Sequence, residues 1–197
     1  MTTEEILFFD KLSSTWDEDE ILSTPEKVKE ILSSLNITEG SDILDLGTGT
    51  GVLLPYLSSM VGDKGKVVGL DISEGMLKRA IAKYGDLKNV SFIKKDFENE
   101  AVAETYDLIM LYCVYPHLHF PEKTLKRLIR ANLKESGKII IAFPCNEHFI
   151  NNIHKEKKAE SGLLPSAPSL SSQFQKWGIS SSVVRYDDEH YVVEIIK

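Results

Sequence analysis

Ile43-Leu-Asp-Leu-Gly-Thr-Gly-Thr-Gly51 is the stretch that decides the fold of this chain. A short apolar run, typical of a buried strand, leads into three glycines that are separated by single residues. Glycine lacks a Cβ, tolerates a positive φ and leaves its N–H group open to a ligand beside the start of the next helix. The stretch therefore predicts a strand-to-helix turn at which a charged small molecule approaches bare backbone. The alternative is a tight turn that binds nothing.

The spacing of the glycines separates two classes of ligand. Dinucleotide-binding proteins use the pattern G-x-G-x-x-G after a strand. Counted from Gly47, the third glycine of that pattern would fall on Val52, and counted from Gly49 it would fall on Leu54. Neither register completes the pattern, so a nicotinamide enzyme is the weaker interpretation.

Strand and helix patterns alternate along the chain after this turn. The strands are predicted at residues 42–46, 66–71, 90–94, 106–111 and 138–143, and the helices at residues 52–60, 75–84 and 121–133. This order predicts parallel strands with right-handed crossovers. The nearly continuous apolar character of the strands indicates that helices cover both faces of the sheet.

The C-terminal part of the chain breaks the alternation. Two β-rich runs, at residues 180–186 and 191–196, are separated only by Asp187-Asp-Glu-His190, which predicts an antiparallel hairpin. The predicted fold is therefore α/β, a doubly wound and mostly parallel sheet of about seven strands with a C-terminal antiparallel hairpin. Residues 145–172 are predicted to form a substrate-side helix, near residues 146–157, and a Ser- and Pro-rich loop or lid at residues 160–172.

The N-terminal residues 1–24 are acidic and aromatic, and we expect them to form a cap. Their apolar pattern is too short and broken to predict a firm core helix. A helix is predicted from Thr24-Pro25-Glu26 to about Asn36, because Thr is a capping residue and Pro occupies the first helical position.

Composition bounds the class of protein. A chain of 197 residues with 42% hydrophobic content can bury one sizeable core, so residues 1–197 are expected to form a single domain. The formal net charge of −7 disfavours binding to a phosphate backbone, and nucleic acid is not expected as a partner. The two cysteines fit a reducing compartment. With no targeting pattern and no segment long enough to cross a bilayer, the sequence predicts a cytoplasmic protein without membrane insertion.

Acidic residues accompany three of the predicted strand ends. Asp45 precedes the glycines, Asp71 closes the run Val67-Val-Gly-Leu-Asp71, and Asp96 follows the third strand. The carboxyl ends of parallel strands meet at one edge of a sheet, so we expect these side chains to face one ligand. Carboxylates accept hydrogen bonds from ammonium and hydroxyl groups. The alternatives are a helix cap for Asp71 and an ordinary turn residue for Asp96.

The order of these motifs resembles the class I methyltransferases that use S-adenosylmethionine, over roughly residues 27–197. The resemblance implies a Rossmann-like methyltransferase fold with S-adenosylmethionine as the cofactor. In that family the glycine loop and its acid hold the methionine part, the second acid holds the ribose and the third accepts from the adenine amino group. The residues that the resemblance places against the cofactor are Asp45, Gly47, Gly49, Gly51, Asp71, Ile72, Met76, Asp96, Phe97, Tyr112 and Trp16.

The resemblance also places the residues after the fourth strand between cofactor and substrate. His117, Tyr115 and His148 are the candidate catalytic residues, because an imidazole or a phenol can act as a general base when the acceptor enters protonated. The remaining histidines and the cysteines lack the spacing of a metal site, so no metal is expected.

The cap indicates the class of acceptor. Phe8-Phe-Asp-Lys-Leu12 with Trp16-Asp17 is similar to the cap of the small-molecule and quinone-biosynthesis branch, which implies a small-molecule substrate. The N-P-P-Y sequence of enzymes that methylate amines of nucleic acids is absent after the fourth strand. Cys113 and Cys145 occupy positions similar to the thiols of RNA cytosine-C5 methyltransferases. An RNA or protein methyltransferase and a non-catalytic S-adenosylmethionine-binding regulatory protein therefore stay as alternatives.

Overall fold

The computed structural model describes residues 2–18, 24–156 and 162–197, and strands and helices alternate through it as the pattern predicts. The strands are β1 (Asp42–Leu46), β2 (Lys66–Asp71), β3 (Val90–Lys94), β4 (Tyr106–Tyr112), β5 (Leu133–Phe143), β6 (Ser181–Tyr186) and β7 (Tyr191–Ile196). The helices are α1 (Thr3–Leu12), α2 (Pro25–Ser33), α3 (Leu54–Val61), α4 (Glu74–Tyr84), α5 (Pro121–Asn132), α6 (Glu147–Glu156) and α7 (Ala167–Lys176). Single turns of 3₁₀ helix lie at Trp16–Glu18, Gly62–Lys64 and Tyr115–His117.

The strands form a seven-stranded sheet in the order β3-β2-β1-β4-β5-β7-β6. β1 pairs in parallel with both β2 and β4, and β3 and β5 extend the parallel part on either side. β7 is antiparallel to both β5 and β6. The predicted doubly wound, mostly parallel sheet with a C-terminal hairpin is therefore confirmed. Because the strand order reverses between β1 and β4, a crevice opens at the carboxyl ends of these strands.

Both faces of the sheet are covered, as the apolar strands predict. Along β1, Leu44 and Leu46 pack into one apolar cluster, whereas Ile43 packs into another cluster that includes residues of α2 and α3. The side chains of Ile43, Leu44 and Leu46 are all fully buried. Successive side chains of a strand point to opposite faces, so one strand contributes to two cores and its sequence is a continuous apolar run.

The cap contains a helix, α1, that the apolar pattern did not predict. Thr2 and Glu5 form a capping box, in which the Thr2 hydroxyl accepts from the Glu5 N–H and the Glu5 carboxylate accepts from the Thr2 N–H. Residues 19–23 of the predicted cap lie outside the described residues. Capping and docking against the rest of the chain, rather than a regular apolar stripe, stabilise this helix, and neither is visible in hydrophobic periodicity.

The prediction of a loop or lid at residues 160–172 is wrong from Ala167 onward, where α7 begins. A proline in the first turn is compatible with a helix, and Leu170 and Phe174, one turn apart, are fully buried. The helix packs against β6 and β7. A Ser- and Pro-rich composition therefore concealed a short amphipathic helix. Residues 160 and 161, and Lys157 at the predicted end of α6, lie outside the described residues.

The other element boundaries differ from their predictions by a few residues. α2 ends at Ser33 rather than near Asn36, and α3 begins at Leu54 rather than at residue 52. β5 begins at Leu133 rather than at residue 138, with Ser136 at a φ of 64°. This first part of β5 is polar and irregular, so it lacks the apolar run on which the prediction depended. None of the helices in the described ranges has the length and apolar character that crossing a membrane requires.

Candidate functional site

A cavity of about 610 Å³ lies at the carboxyl ends of β1, β2 and β4. This volume lies within the roughly 300–1,000 Å³ that is typical of ligand pockets. Most of the residues predicted from the sequence to form the site lie in its walls. Those residues are Trp16, Asp45, Gly47, Gly49, Asp71, Ile72, Met76, Phe97, Tyr112 and His117.

The three glycines of the loop have different structural roles. Each has a positive φ, of 76° at Gly47, 56° at Gly49 and 86° at Gly51. A Cβ at Gly51 would lie 2.9 Å from both Leu54 and Tyr84 side-chain atoms, so packing requires this glycine, and Gly51 does not line the cavity. A Cβ at Gly49 would meet nothing within 4 Å. Gly49 is therefore the position at which the loop leaves open space for a ligand.

The N–H groups of these glycines are not open to a ligand, which corrects the expectation from the sequence. Gly47 donates to the Leu70 carbonyl at 2.7 Å and Gly51 donates to the Thr48 carbonyl at 2.9 Å. Gly49 donates to Asp71 Oδ2 at 2.8 Å. The loop is thus held in shape by the protein itself, and a ligand meets its bare Cα surface.

Asp45 is a buried carboxylate at the end of β1. Its Oδ2 accepts a hydrogen bond of 2.6 Å from the Thr48 hydroxyl, and the residue is only 2% exposed. Burial raises the pKa of Asp45 to about 7, with a smaller contribution from the charge of Asp71, while the hydrogen bond from Thr48 opposes the rise. A ligand cation in the cavity would favour the ionised carboxylate.

Asp71 ends β2 beside the glycine loop. Its Oδ1 accepts from the Ser73 N–H and its Oδ2 from the Gly49 N–H, both at 2.8 Å. Burial raises the pKa of Asp71, and these backbone donors oppose that rise. Each carboxylate oxygen has a further lone pair for a ligand hydroxyl. The helix cap suggested as an alternative for Asp71 is provided instead by Ser73, whose hydroxyl accepts from the Met76 N–H.

Asp96 and Phe97 are neighbours with different surroundings. Phe97 is buried and lines the cavity, whereas Asp96 is not among the lining residues. The Asp96 carboxylate accepts from the Glu98 N–H at 3.0 Å and from the Asn99 side-chain amide at 2.8 Å. It therefore stabilises the turn after β3, which was the alternative, and the structure does not bring it to the cavity.

Only one of the three candidate catalytic residues reaches the cavity. His117 lines it, and its ring contacts those of Phe9 and His154 at centroid distances of 5.3 Å each. Burial, with smaller effects from His154 and His119, lowers the pKa of His117 to about 4, so its ring is neutral near pH 7.

The other two catalytic candidates lie elsewhere. Tyr115 is buried, with its ring 5.9 Å from that of Phe174. The His148 side chain is 84% exposed on α6, 3.6 Å from Glu147. Neither residue lines the cavity.

The cap closes one side of the cavity with Phe9 and Trp16, whose rings lie 5.7 Å apart. Asp17 accepts a hydrogen bond of 2.6 Å from the Thr50 hydroxyl and pairs with Lys83 at 2.6 Å. Thr50 and Lys83 also line the cavity, although sequence reasoning did not single them out. Their partner is more than thirty residues away in the chain, so no local pattern could have revealed them.

The environment of the two cysteines disfavours their thiolate forms. Burial raises the pKa of Cys113 well above its ordinary value and that of Cys145 to about 11. Both changes lower the fraction of thiolate that an attack on a nucleobase requires. Across the residues that the structure describes, no group of three or more His, Cys, Asp or Glu side chains is arranged to hold a metal ion.

Comparison with known proteins decides the family. A family model described as a methyltransferase domain matches residues 37–186 of the chain. The chain belongs to this methyltransferase family. A solved S-adenosylmethionine-dependent methyltransferase from Aquifex aeolicus is 27% identical, with a TM-score of 0.71 over 88% of this chain and 94% of that one. The chain is thus a class I methyltransferase domain, and S-adenosylmethionine is its cofactor.

Relatives with named reactions match part of the methyltransferase. A protein of Escherichia fergusonii named ubiquinone/menaquinone biosynthesis C-methyltransferase UbiE is 34% identical over 53% of this chain and 43% of its own length. A Saccharolobus solfataricus protein named for cobalt-precorrin-6B C(15)-methyltransferase is 37% identical over 48% of this chain and 50% of its own length. The methyltransferase therefore spans half or less of the length of these curated relatives.

The cavity of the methyltransferase fits this cofactor by its chemistry. S-adenosylmethionine presents an ammonium group and ribose hydroxyls, and the cavity presents the buried carboxylates of Asp45 and Asp71. The space beside Gly49, which a Cβ would enter, allows a ligand to lie directly on the loop. Ile72, Met76 and Phe97 add apolar surface of the kind that an adenine ring requires.

Proposed function

We propose that this methyltransferase domain transfers a methyl group from S-adenosylmethionine to a small-molecule acceptor bound between the cofactor and the cap. The observation that carries the proposal is the presence of cap residues in the cavity wall, where the ring of Phe9 in α1 contacts that of His117 at a centroid distance of 5.3 Å. A ring-lined recess under a cap suits a small molecule. The formal net charge of −7 supports the same conclusion.

The proposed cofactor contacts follow from the carboxylates and the apolar side chains that line the cavity. Asp45 accepts from the ammonium group of the methionine part, and Asp71 accepts from the ribose hydroxyls. Ile72, Met76 and Phe97 pack on the adenosine, and Tyr112 and Trp16 complete the walls. Gly47 and Gly49 form the floor, while Gly51 serves the packing of the loop. When bound, the cofactor supplies a methyl group on a positively charged sulfonium, which leaves as a neutral thioether.

The domain contributes alignment, exclusion of water and a neutral base. Phe9 and Trp16 hold the acceptor in line with the methyl group and the sulfur of the cofactor, and they keep water from the reacting atoms. His117 takes a proton from the acceptor at an imidazole nitrogen. With a pKa of about 4, this ring is a weak base, so the acceptor must become acidic as its new bond to carbon forms. The names of the quinone- and corrin-directed relatives support a small acceptor of this kind.

The test is a transfer assay with methyl-labelled S-adenosylmethionine and a fractionated cell extract. The proposal predicts label in a compound of low molecular mass and none in the RNA or protein fraction. Label confined to RNA or protein would contradict it. Binding of S-adenosylhomocysteine without turnover in any fraction would instead favour the regulatory alternative.

A further inference from the structure

The cap helix α1 lies directly on the first turn of α4. Asp10 Oδ1 accepts hydrogen bonds from the Ser73 hydroxyl at 2.5 Å and from the Gly75 N–H at 2.8 Å. The first N–H groups of a helix have no partner within the helix, and a negative charge there is favourable. The hydrogen bond from Ser73 and that from Gly75 lower the pKa of Asp10. A carboxylate from the cap thus completes the start of α4.

Ser73 joins this contact to the cofactor cavity. Its N–H donates to Asp71 Oδ1 at 2.8 Å, and its hydroxyl accepts from the Met76 N–H at 3.1 Å while donating to Asp10. Ser73 is only 1% exposed, whereas Asp10 is half-buried. Asp71 and Met76 both line the cavity. One residue therefore connects the cap to the carboxylate and the apolar wall of the cofactor site.

Gly75 provides the space in which α1 docks. A Cβ at this position would lie 2.8 Å from Ser13 Oγ, 3.0 Å from the Asp10 carbonyl oxygen and 3.2 Å from Asp10 Cα. Two of these three atoms belong to the backbone of α1, so they cannot move unless the helix shifts. A side chain at Gly75 would push the cap away from α4.

A second set of contacts holds the chain that follows α1. The guanidinium of Arg79 donates to the backbone carbonyls of Ser13 and Ser14. Asp17 joins Thr50 of the glycine loop to Lys83 of α4. The cap is thus attached to both sides of the cavity, and all of these partners lie on elements that contact the proposed cofactor.

We infer that Asp10 is a positioning residue for the cofactor, acting through Ser73 on the carboxylate of Asp71. Docking of α1 on Ser73 and Gly75 and binding of the cofactor are then one linked equilibrium, in which each strengthens the other by the same factor. The inference rests on the proposed placement of the ribose at Asp71. It adds a specific role for the cap, which orients the ribose-binding carboxylate besides covering the cavity.

The experiment compares Gly75→Ala and Asp10→Asn with the wild type. Glu4→Gln is the matched control, since Glu4 is exposed on the same helix and loses the same charge. Isothermal titration gives the affinity for S-adenosylhomocysteine, and hydrogen exchange gives the protection of α1 with and without that ligand. We expect Gly75→Ala to weaken binding by about tenfold and to abolish ligand-induced protection of α1. We expect a smaller loss of affinity in Asp10→Asn, and an affinity equal to that of the wild type in Glu4→Gln.

A ligand without the ribose 2′-hydroxyl separates positioning from a general structural effect. Removal of this hydroxyl should reduce the affinity of the wild type by a larger factor than it reduces the affinity of Asp10→Asn. The reason is that Asp71 is no longer oriented toward the hydroxyl in the variant. Equal losses in both proteins would show a structural role only and would overturn the inference.

The remaining outcomes are also decisive. Unchanged affinity and unchanged protection in Gly75→Ala would overturn the inference while leaving the cofactor site in place. If Gly75→Ala does not fold by circular dichroism, Asp10→Asn alone carries the test. Failure of the wild type to bind S-adenosylhomocysteine would instead refute the proposed placement of the cofactor.

Discussion

The strand-end half of the cavity and the cap half are built in different ways. Asp45, the glycine loop and Asp71 lie at the ends of neighbouring parallel strands, so the register of β1 on β2 brings them together. Phe9, Asp17 and Lys83 come from three separate elements and meet only through tertiary docking. The first half is a consequence of local sequence and sheet topology. The second depends on contacts between distant parts of the chain, and it is where the acceptor is proposed to bind.

The largest expected effect tests the strand-end half. Asp71→Ala should weaken binding of S-adenosylhomocysteine by about 1,000-fold, because a charged acceptor for two hydroxyls is lost together with the partners of Gly49 and Ser73. Asp96→Ala is the matched control, since its carboxylate serves a turn outside the cavity. Calorimetric titration should show near wild-type affinity for that variant. Equal losses in the two variants would refute the assignment of the two acids.

The next effect tests the point at which the two halves meet, where His117 of the turn after β4 contacts Phe9 of the cap. His117→Ala should lower kcat by about 100-fold, as expected when a general base is removed, while the affinity for S-adenosylhomocysteine stays within about twofold. Because the pKa of His117 is about 4, wild-type kcat should not change with the protonation of this residue above about pH 5. A large loss of cofactor affinity in His117→Ala would show that the two halves of the cavity are not separable.

Two glycines of one loop should respond differently to the same change. Gly51→Ala should lower the free energy of unfolding by about 2 kcal/mol, because its φ of 86° is strained for alanine and the Cβ would meet Leu54 and Tyr84. Gly49→Ala should cost less stability, since its Cβ meets nothing, and should reduce cofactor binding instead. Urea unfolding and titration measure the two quantities. The reverse order of effects would contradict the roles given to these residues.

The smallest effect concerns pH and Asp45. Its pKa in the folded chain is raised to about 7, so it contributes stability that is present below its ordinary pKa and is lost as pH rises toward 7. The cofactor ammonium favours the ionised form, so affinity for S-adenosylhomocysteine should rise about tenfold between pH 6 and pH 8. Asp45→Asn should bind more weakly and with little dependence on pH in this range. Titrations across this range check both statements, and an equally steep dependence in the variant would exclude Asp45 as its source.

The sequence predicted the strand-end half well for a physical reason. A buried strand, its terminal acid and a glycine turn are adjacent in the chain, and parallel pairing places equivalent ends at one edge. The same reasoning does not separate two roles for Asp96, because an aspartate after a strand suits a turn as well as a ligand. It also failed for the N–H groups of Gly47 and Gly49, since their acceptors, the Leu70 carbonyl and the Asp71 carboxylate, belong to β2, which follows later in the chain.

The cap and α7 were harder to predict because no regular apolar period marks them. α1 is short and is stabilised by its capping box and by Asp10 on α4, neither of which produces an apolar period. The serines and the single proline of α7 made this helix hard to recognise, although Leu170 and Phe174 have helical spacing. Tyr115 and His148 follow strands as substrate-facing residues would, yet one is packed inward and the other is exposed.

A crystal structure of the domain with S-adenosylhomocysteine would show how the cofactor lies in the cavity. In the expected arrangement the ribose hydroxyls contact Asp71, the ammonium group lies at Asp45 and the sulfur faces His117 and Phe9 beneath a docked α1. A sulfur that points away from His117 and Phe9, or a ribose that contacts Asp96 instead of Asp71, would contradict it.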